Sequence, residues 1–245
     1  MTRTRWVFFD VDQTLCDFAT MMRRALSAML IEIGSRWSEL SGRHLPEDLE
    51  AIRNRLADAY GDRPVPLVEV RRQMFAEVLR PVGATDTEID AITEHYLGIR
   101  FAEPVIFDDV LPCLTTLHGT HRLGVVTNGN SKLDSLGLDH FFDAEIAAER
   151  VGFAKPDPRI YAFAAESVGA DPTELIMVGD SYEKDVLAAH RAGWQGIWLR
   201  REVSRTGPGE IGDLRALPAL LADGPVLADD SSIAARNTAS RASSD

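Results

Sequence analysis

Apolar and polar positions follow two different periods along this chain. Val7, Phe8 and Phe9 form a short unbroken apolar run that ends abruptly at Asp10, the pattern of a strand buried on both faces of a parallel sheet. Runs of the same kind recur at Leu123 to Thr127, Leu175 to Gly179 and Gly196 to Leu199. Between them the period turns helical. Ile160, Phe163, Ala164 and Val168 share one helical face after Asp157-Pro158, and Gly169 closes that segment. Asp171 to Glu174 has the spacing of a capping box with Pro172 at the first helical position, and a further helix is predicted from about Lys184 to Ala192, stopped by Gly193. Strands alternating with helices predict an α/β architecture with a parallel sheet and crossover helices.

Residues 17–103 break this rhythm. Met22, Ala25, Leu26, Met29, Leu30 and Ile33 make one apolar face, and Leu49, Ile52, Leu56 and Tyr60 make another. Leu67, Val70, Met74 and Val78, then Ile89, Ile92 and Tyr96, continue at helical spacing. An all-helical insert packed as a small bundle is expected here. Its position directly after the first strand predicts a cap over the carboxyl edge of the sheet. The expected organisation is a core of residues 1–16 and 104–221, a helical cap of 17–103, and a tail of 222–245, rich in Ala, Ser, Asp, Asn and Arg, that is expected to be mobile.

Composition narrows the function classes. No apolar run approaches the roughly 18 to 20 residues that span a bilayer, and the stretch before Trp6 does not resemble a signal peptide, so a cytoplasmic protein that does not enter membranes is expected. The formal net charge of −12 argues against nucleic acid as a partner, since affinity for a phosphate backbone needs clustered lysine and arginine. Two cysteines, Cys16 and Cys113, cannot make a disulfide framework. A small-molecule partner is expected. Oligomeric state is not legible.

In an open α/β sheet the ligand lies beyond the carboxyl ends of the strands. Those ends carry Asp10-Val11-Asp12-Gln13-Thr14-Leu15, Thr127-Asn128-Gly129, and Gly179-Asp180 followed by Asp185, while Lys155-Pro156 falls in a loop between them. Taken singly, each has an ordinary explanation as a turn, a helix cap or a solvated charge. In order and spacing together they resemble the four motifs of the haloacid dehalogenase-like hydrolase superfamily, over about residues 6–221. The resemblance implies a Rossmann-like core with an inserted α-helical cap, of the type in phosphoglycolate phosphatases, nucleotidases and sugar-phosphate phosphatases. Gln13 departs from the pattern, because that slot is more often Gly, Asn or Ser.

The resemblance also implies a chemistry that accounts for these residue types. A carboxylate is repelled by a phosphate monoester dianion, so a cation must offset the charge. Magnesium is implied, held by Asp10, Asp180 and the backbone carbonyl of Asp12. Asp10 is then the nucleophile that becomes a phosphoaspartate, and Asp12 the acid and base that protonates the leaving oxygen and activates water. Thr127, Asn128 and Lys155 are expected to hold the phosphoryl oxygens, with Thr14 and Asp185 bracing the site. Dehalogenases of the superfamily lack an acid/base residue at the second position, because halide leaves without a proton, so Asp12 favours a phosphorylated metabolite as substrate. A phosphomutase of the β-phosphoglucomutase type and a non-catalytic module that binds a phosphometabolite are the alternatives. Arg23, Arg24, Arg71 and Arg72 are read as a solvated helix face rather than as a subsite for a distal anion, and Cys16 as a small residue packed beneath the cap.

Overall fold

The computed structural model describes residues 5–61, 63–203 and 207–222. Six strands, β1 (Trp6–Phe9), β2 (Arg122–Thr127), β3 (Ala144–Ala147), β4 (Leu175–Gly179), β5 (Gln195–Leu199) and β6 (Glu210–Ile211), form one sheet in the order β3-β2-β1-β4-β5-β6. Every pairing is parallel. β1 therefore lies inside the sheet, between β2 and β4, where the strand order reverses direction.

Alternation along β1 sets the two faces. Val7 and Phe9 join a cluster with Val110, Cys113, Leu114 and Leu117 of helix α5 (Val110–Leu117) and with Leu217 and Leu221 near the end of the described chain. Phe8 points the other way, into a cluster with Ile160, Tyr161 and Ala164 of α7 (Pro158–Val168) and with Ala188 and Ala189 of α8 (Ala188–Arg191). A parallel sheet covered on both faces explains why its inner strands are continuous apolar runs.

Four helices occupy the segment between β1 and α5: α1 (Phe18–Arg36), α2 (Pro46–Asp58), α3 (Leu67–Leu79) and α4 (Asp86–Ala102). Their starts are legible in local chemistry. Asp17 caps α1 by accepting from the Thr20 amide at 2.9 Å, and Thr85 and Glu88 form the reciprocal box that opens α4. Their apolar faces meet in a cluster of their own, including Leu26, Met29, Phe75, Ile89 and Tyr96. Two chain segments link these helices to the sheet and run antiparallel beside each other, with Asp17 N donating to Val105 O at 2.8 Å and Phe107 N to Leu15 O at 3.3 Å.

Two local expectations are corrected. The capped segment at Asp171 is only a 3-10 turn, Pro172–Glu174, because the apolar run from Leu175 at once takes the chain into β4. The helix expected from Lys184 begins as a π-helical turn, Tyr182–Leu187, and becomes α-helical only at Ala188. This wider turn carries Asp185, whose side chain is drawn back to the end of β4, and such turns are common at functional sites. β3, β6 and the short helix α6 (Ala148–Val151) were not predicted, being too short to show a period. The tail expected to be mobile lies, from residue 223, outside the described residues. Among the described residues no helix is long and apolar enough to cross a membrane.

The helical cluster makes a direct prediction. Phe75 is fully buried and meets Tyr96 edge-on at 5.5 Å between ring centroids. We predict that Phe75→Ala lowers unfolding free energy by about 3–5 kcal/mol, measured by urea denaturation. A loss below about 1 kcal/mol would mean that the four helices do not share a tight core.

Candidate active site

The carboxyl ends of β1, β2 and β4 converge on one cleft. Asp10 directly follows β1, and its amide donates to Val178 O of β4 at 2.9 Å, continuing the sheet's bonding by one residue. The chain then doubles back tightly, with the amides of Leu15 and Cys16 donating to Val11 O and Gln13 N to Cys16 O. Gln13 takes up the turn with φ of 65°, a left-handed conformation that disfavours side chains with a Cβ by about 1–2 kcal/mol. Gly avoids this strain and Asn tolerates it, whereas Gln13 has to bear it. Gln13 offsets part of the strain by accepting from Ala19 N, at the start of α1, at 2.9 Å.

Lys155 is the centre of the charge network. It is 3% exposed, and its Nζ donates to Asp10 Oδ1 at 2.7 Å and to Asp185 Oδ1 at 2.6 Å. Asn128 holds the Lys155 backbone from both sides, donating to its carbonyl and accepting from its amide, each at 2.7 Å. The structure thus places Asn128 against the backbone of Lys155, and Thr127 Oγ1 against the Gly129 amide at 2.9 Å. Asp185 is further fixed by the Ser181 amide at 3.0 Å. Thr14 Oγ1 accepts from Asp180 N at 3.2 Å, bracing the end of β4. Gly179 leaves room for this arrangement, since a Cβ there would lie 2.3 Å from Asp185 carboxyl atoms.

Carboxylate oxygens of Asp10, Asp180 and Asp185 all lie within 4.8 Å of one another. Two of these three carboxylates, Asp10 and Asp185, pair with the one ammonium. Burial pushes the Asp10 carboxyl up, Lys155 opposes it, and Asp185 and Asp180 push it the same way as burial. Asp180 opens to the cleft on one side yet is embedded among protein atoms on the other, and it too is raised, by burial and then by Asp185. Burial would pull the Lys155 ammonium down, but Asp10 and Asp185 outweigh it and hold the group firmly protonated. An all-oxygen donor set with excess negative charge suits a hard divalent cation. The cluster adds Asp185 to the carboxylates expected from the sequence, while the side chain of Asp12 turns elsewhere.

Asp12 faces the loop after β2. Ser131 Oγ donates to Asp12 Oδ1 at 2.5 Å, and a Cβ at position 129 would come within 2.1 Å of Asp12 Oδ2, so only glycine fits there. Ser131 was missed by sequence reasoning, since a lone serine in a loop carries no pattern. Arg100 was missed as well. It is fully buried, and it donates to Ser131 Oγ and, through both terminal nitrogens, to Asn130 Oδ1, all at 3.2 Å. Its position, four residues after Tyr96 on the stripe of Ile89 and Ile92, was the available signal. Arg71, read as solvated, is instead 3% exposed and donates to the same Asn130 oxygen at 3.4 Å. It adjoins Val70 on the buried side of α3, so the apolar face of that helix carries it inward. Cys16 is buried beneath the helices, and burial, then Asp12, pushes its thiol well up, which makes it a packing residue and not a thiolate.

The cleft has a volume of ≈ 460 Å³. Asp10, Asp12, Lys155 and Asp180 line its sheet side, and Arg53, Arg63 and Arg71 line its helical side.

Residues 4–193 match the family model described as haloacid dehalogenase-like hydrolase. Among curated proteins, the chain is 33% identical over 207 residues to a glyceraldehyde 3-phosphate phosphatase from Methanopyrus kandleri, covering 80% of this chain and 83% of the relative. It is 26% identical over 200 residues to a pyrimidine 5'-nucleotidase from Escherichia coli, covering 79% and 85%. Among solved structures, it resembles a 2-haloacid dehalogenase from Pseudomonas syringae pv. Tomato with a TM-score of 0.72 and 29% identity, covering 90% of this chain and 99% of the other.

The charge network generates a stability prediction independent of any substrate. Lys155→Met leaves two buried carboxylates unpaired, so we predict a loss of about 3–5 kcal/mol in chelator-treated protein, measured by urea denaturation. An unchanged midpoint would show that Lys155 does not balance Asp10 and Asp185.

Proposed function

The chain belongs to the haloacid dehalogenase-like hydrolase family, and from that membership we propose that it is a cytoplasmic, magnesium-dependent phosphatase acting on a small phosphate monoester through a phosphoaspartate at Asp10. The observation that carries this reading is the separation of two neighbouring aspartates into different environments. Asp10 is bound to Lys155 among the clustered carboxylates, whereas Asp12 is bound to Ser131 away from them. One is set up as nucleophile and the other as proton carrier.

Asp10 and Asp180, with the backbone carbonyl of Asp12 and support from Asp185, would hold magnesium. When bound, such a cation offsets the charge of the phosphate dianion that the Asp10 carboxylate has to approach. A carboxylate oxygen of Asp10 attacks phosphorus, and the ester P–O bond breaks as Asp12 delivers its proton to the leaving oxygen. Asp12 then takes a proton from water, whose oxygen attacks phosphorus and breaks the bond to Asp10, freeing phosphate. Lys155 orients Asp10 and, with Thr127 and backbone amides near Asn128, balances negative charge on the phosphoryl oxygens.

The likeness to a haloacid dehalogenase does not decide the leaving group. A halide departs without a proton, so a carboxylate at position 12, kept by Ser131 and a glycine at 129, favours an alkoxide leaving group that needs protonation. Residues 17–103 act in this account as a cap on the core of 1–16 and 104–221. The paired segments at Leu15–Asp17 and Val105–Phe107 serve as the hinge on which the cap closes over the cleft.

Two outcomes test the proposal. In a screen of phosphate esters, phosphate release is expected only with magnesium. Asp10→Asn should abolish it, and Asp12→Asn should lower it by about 100- to 10,000-fold. Wild-type release by Asp10→Asn, or full activity in excess chelator, would refute the mechanism. Independently of turnover, magnesium at about 100 times its dissociation constant should stabilise the fold by roughly 2.7 kcal/mol, read as a thermal shift that Asp180→Asn removes. No shift in the wild type would remove the metal from the account.

A further inference from the structure

Among the described residues, the helical side of the cleft is lined by three arginines, Arg53, Arg63 and Arg71, against one carboxylate, Asp58. Arg71 is 3% exposed, yet among the described residues its Nη1 has no hydrogen-bond partner, and Arg53 Nε is likewise buried without one. The partners these side chains do have are weak. Arg71 Nη2 reaches Asn130 Oδ1 at 3.4 Å, with the Tyr96 side chain beside it, and Arg53 Nη2 reaches Met22 Sδ at 3.7 Å while its guanidinium lies 5.9 Å from the Phe18 ring centroid. Behind them Arg100 lies against the Phe18 ring at 4.6 Å and shares the Asn130 oxygen. None of these partners is a carboxylate. Burial, and then the nearby charge of Arg100, pulls even the Arg71 guanidinium down to about 10.

A buried guanidinium with an unmade hydrogen bond is costly, because a donor stripped of water must be matched by something else. In a chain whose formal net charge is −12, two such side chains lining the same cleft as Asp10 and Asp12 make a built site for an anion. The phosphoryl group is not that anion. Its place is at the strand ends, with Lys155 and the clustered carboxylates, whereas Arg53 and Arg71 come from α2 and α3 on the other side of the cleft.

We propose that Arg53 and Arg71 form a subsite for a second anionic group on the leaving-group side of the substrate, so that the preferred ester carries a carboxylate or a further phosphate besides the phosphoryl group it loses. The assignment rests on the phosphatase reading for which end reacts, and adds the class of leaving group. A carboxylate or phosphate suits the two free donors, since guanidinium groups bind such oxygens in directed pairs. The hydroxyls of a neutral sugar or alcohol can accept from these donors but bring no negative charge to offset the guanidinium groups.

The test uses full-length Asp10→Asn protein with magnesium and three probes: 2-phosphoglycolate, ethyl phosphate with the same two-carbon skeleton but no carboxylate, and ethane-1,2-diyl bisphosphate. Calorimetry should show at least one of the anionic probes binding about 30-fold or more tightly than ethyl phosphate, and the larger preference identifies the anion. Adding Arg71→Gln or Arg53→Gln should shrink that preference by about tenfold or more. Arg71 is buried, so a folded Arg53→Gln variant carries the test if Arg71→Gln does not fold. Equal affinity for all three probes, or a preference that survives both substitutions, would overturn the subsite. Failure of the wild type to hydrolyse any ester would instead overturn the phosphatase reading, and leave the binding comparison to judge the subsite alone.

Discussion

Lys155 can be buried only because carboxylates surround it, and much of the local structure serves that condition. An ammonium taken out of water costs several kcal/mol unless it is paired and hydrogen-bonded, and here Asp10 and Asp185 supply the pairing. Asp185 reaches back to the strand end from a π-helical turn, and Gly179 has no Cβ to obstruct it. Asn128 pins the Lys155 backbone on both sides, so the long side chain has a fixed origin. The end of β1 and the turn after β4 are thereby tied to Lys155 Nζ, and the end of β2 to the Lys155 backbone. The sheet contributes what no loop alone can, because β1 is flanked by β2 and β4 and delivers Asp10 between them at fixed spacing.

The loop after β2 joins this rigid base to the helices above it. Asn130 accepts from Arg71 of α3 and Arg100 of α4, while Ser131 touches both Arg100 and Asp12. Two residues of one loop therefore link the Asp12 carboxylate to the helical layer. The helices and the Asp12 carboxylate thus share one short hydrogen-bonded path, Arg100 to Ser131 to Asp12.

Much of this was legible in the sequence, for physical reasons that also explain the gaps. Apolar runs ended by acidic residues marked β1 and β4, because a strand buried on both faces must turn polar where it meets the cleft. The four helices announced themselves by period. β3 and β6 did not, since four residues and two residues carry no period. Lys155 was found through its motif alone; nothing in its neighbourhood distinguishes it from a solvated lysine. Arg71 and Arg100 were misjudged or missed because charge is ordinarily a sign of exposure, and only their place on apolar stripes told otherwise. Ser131 had no local signal, as its importance comes from a partner 119 positions away in sequence.

The central claim is that Asp10 becomes covalently phosphorylated, and the most direct measurement is to catch that species. Wild-type protein with magnesium and a turned-over ester is quenched in acid within the first turnover, digested, and its peptides are weighed by mass spectrometry. The account predicts a phosphoryl group on the peptide containing Asp10, converted by borohydride reduction to homoserine at position 10, as expected of an acyl phosphate. Rapid phosphate release with no phosphoryl group on Asp10, or with the group on another residue, would contradict it.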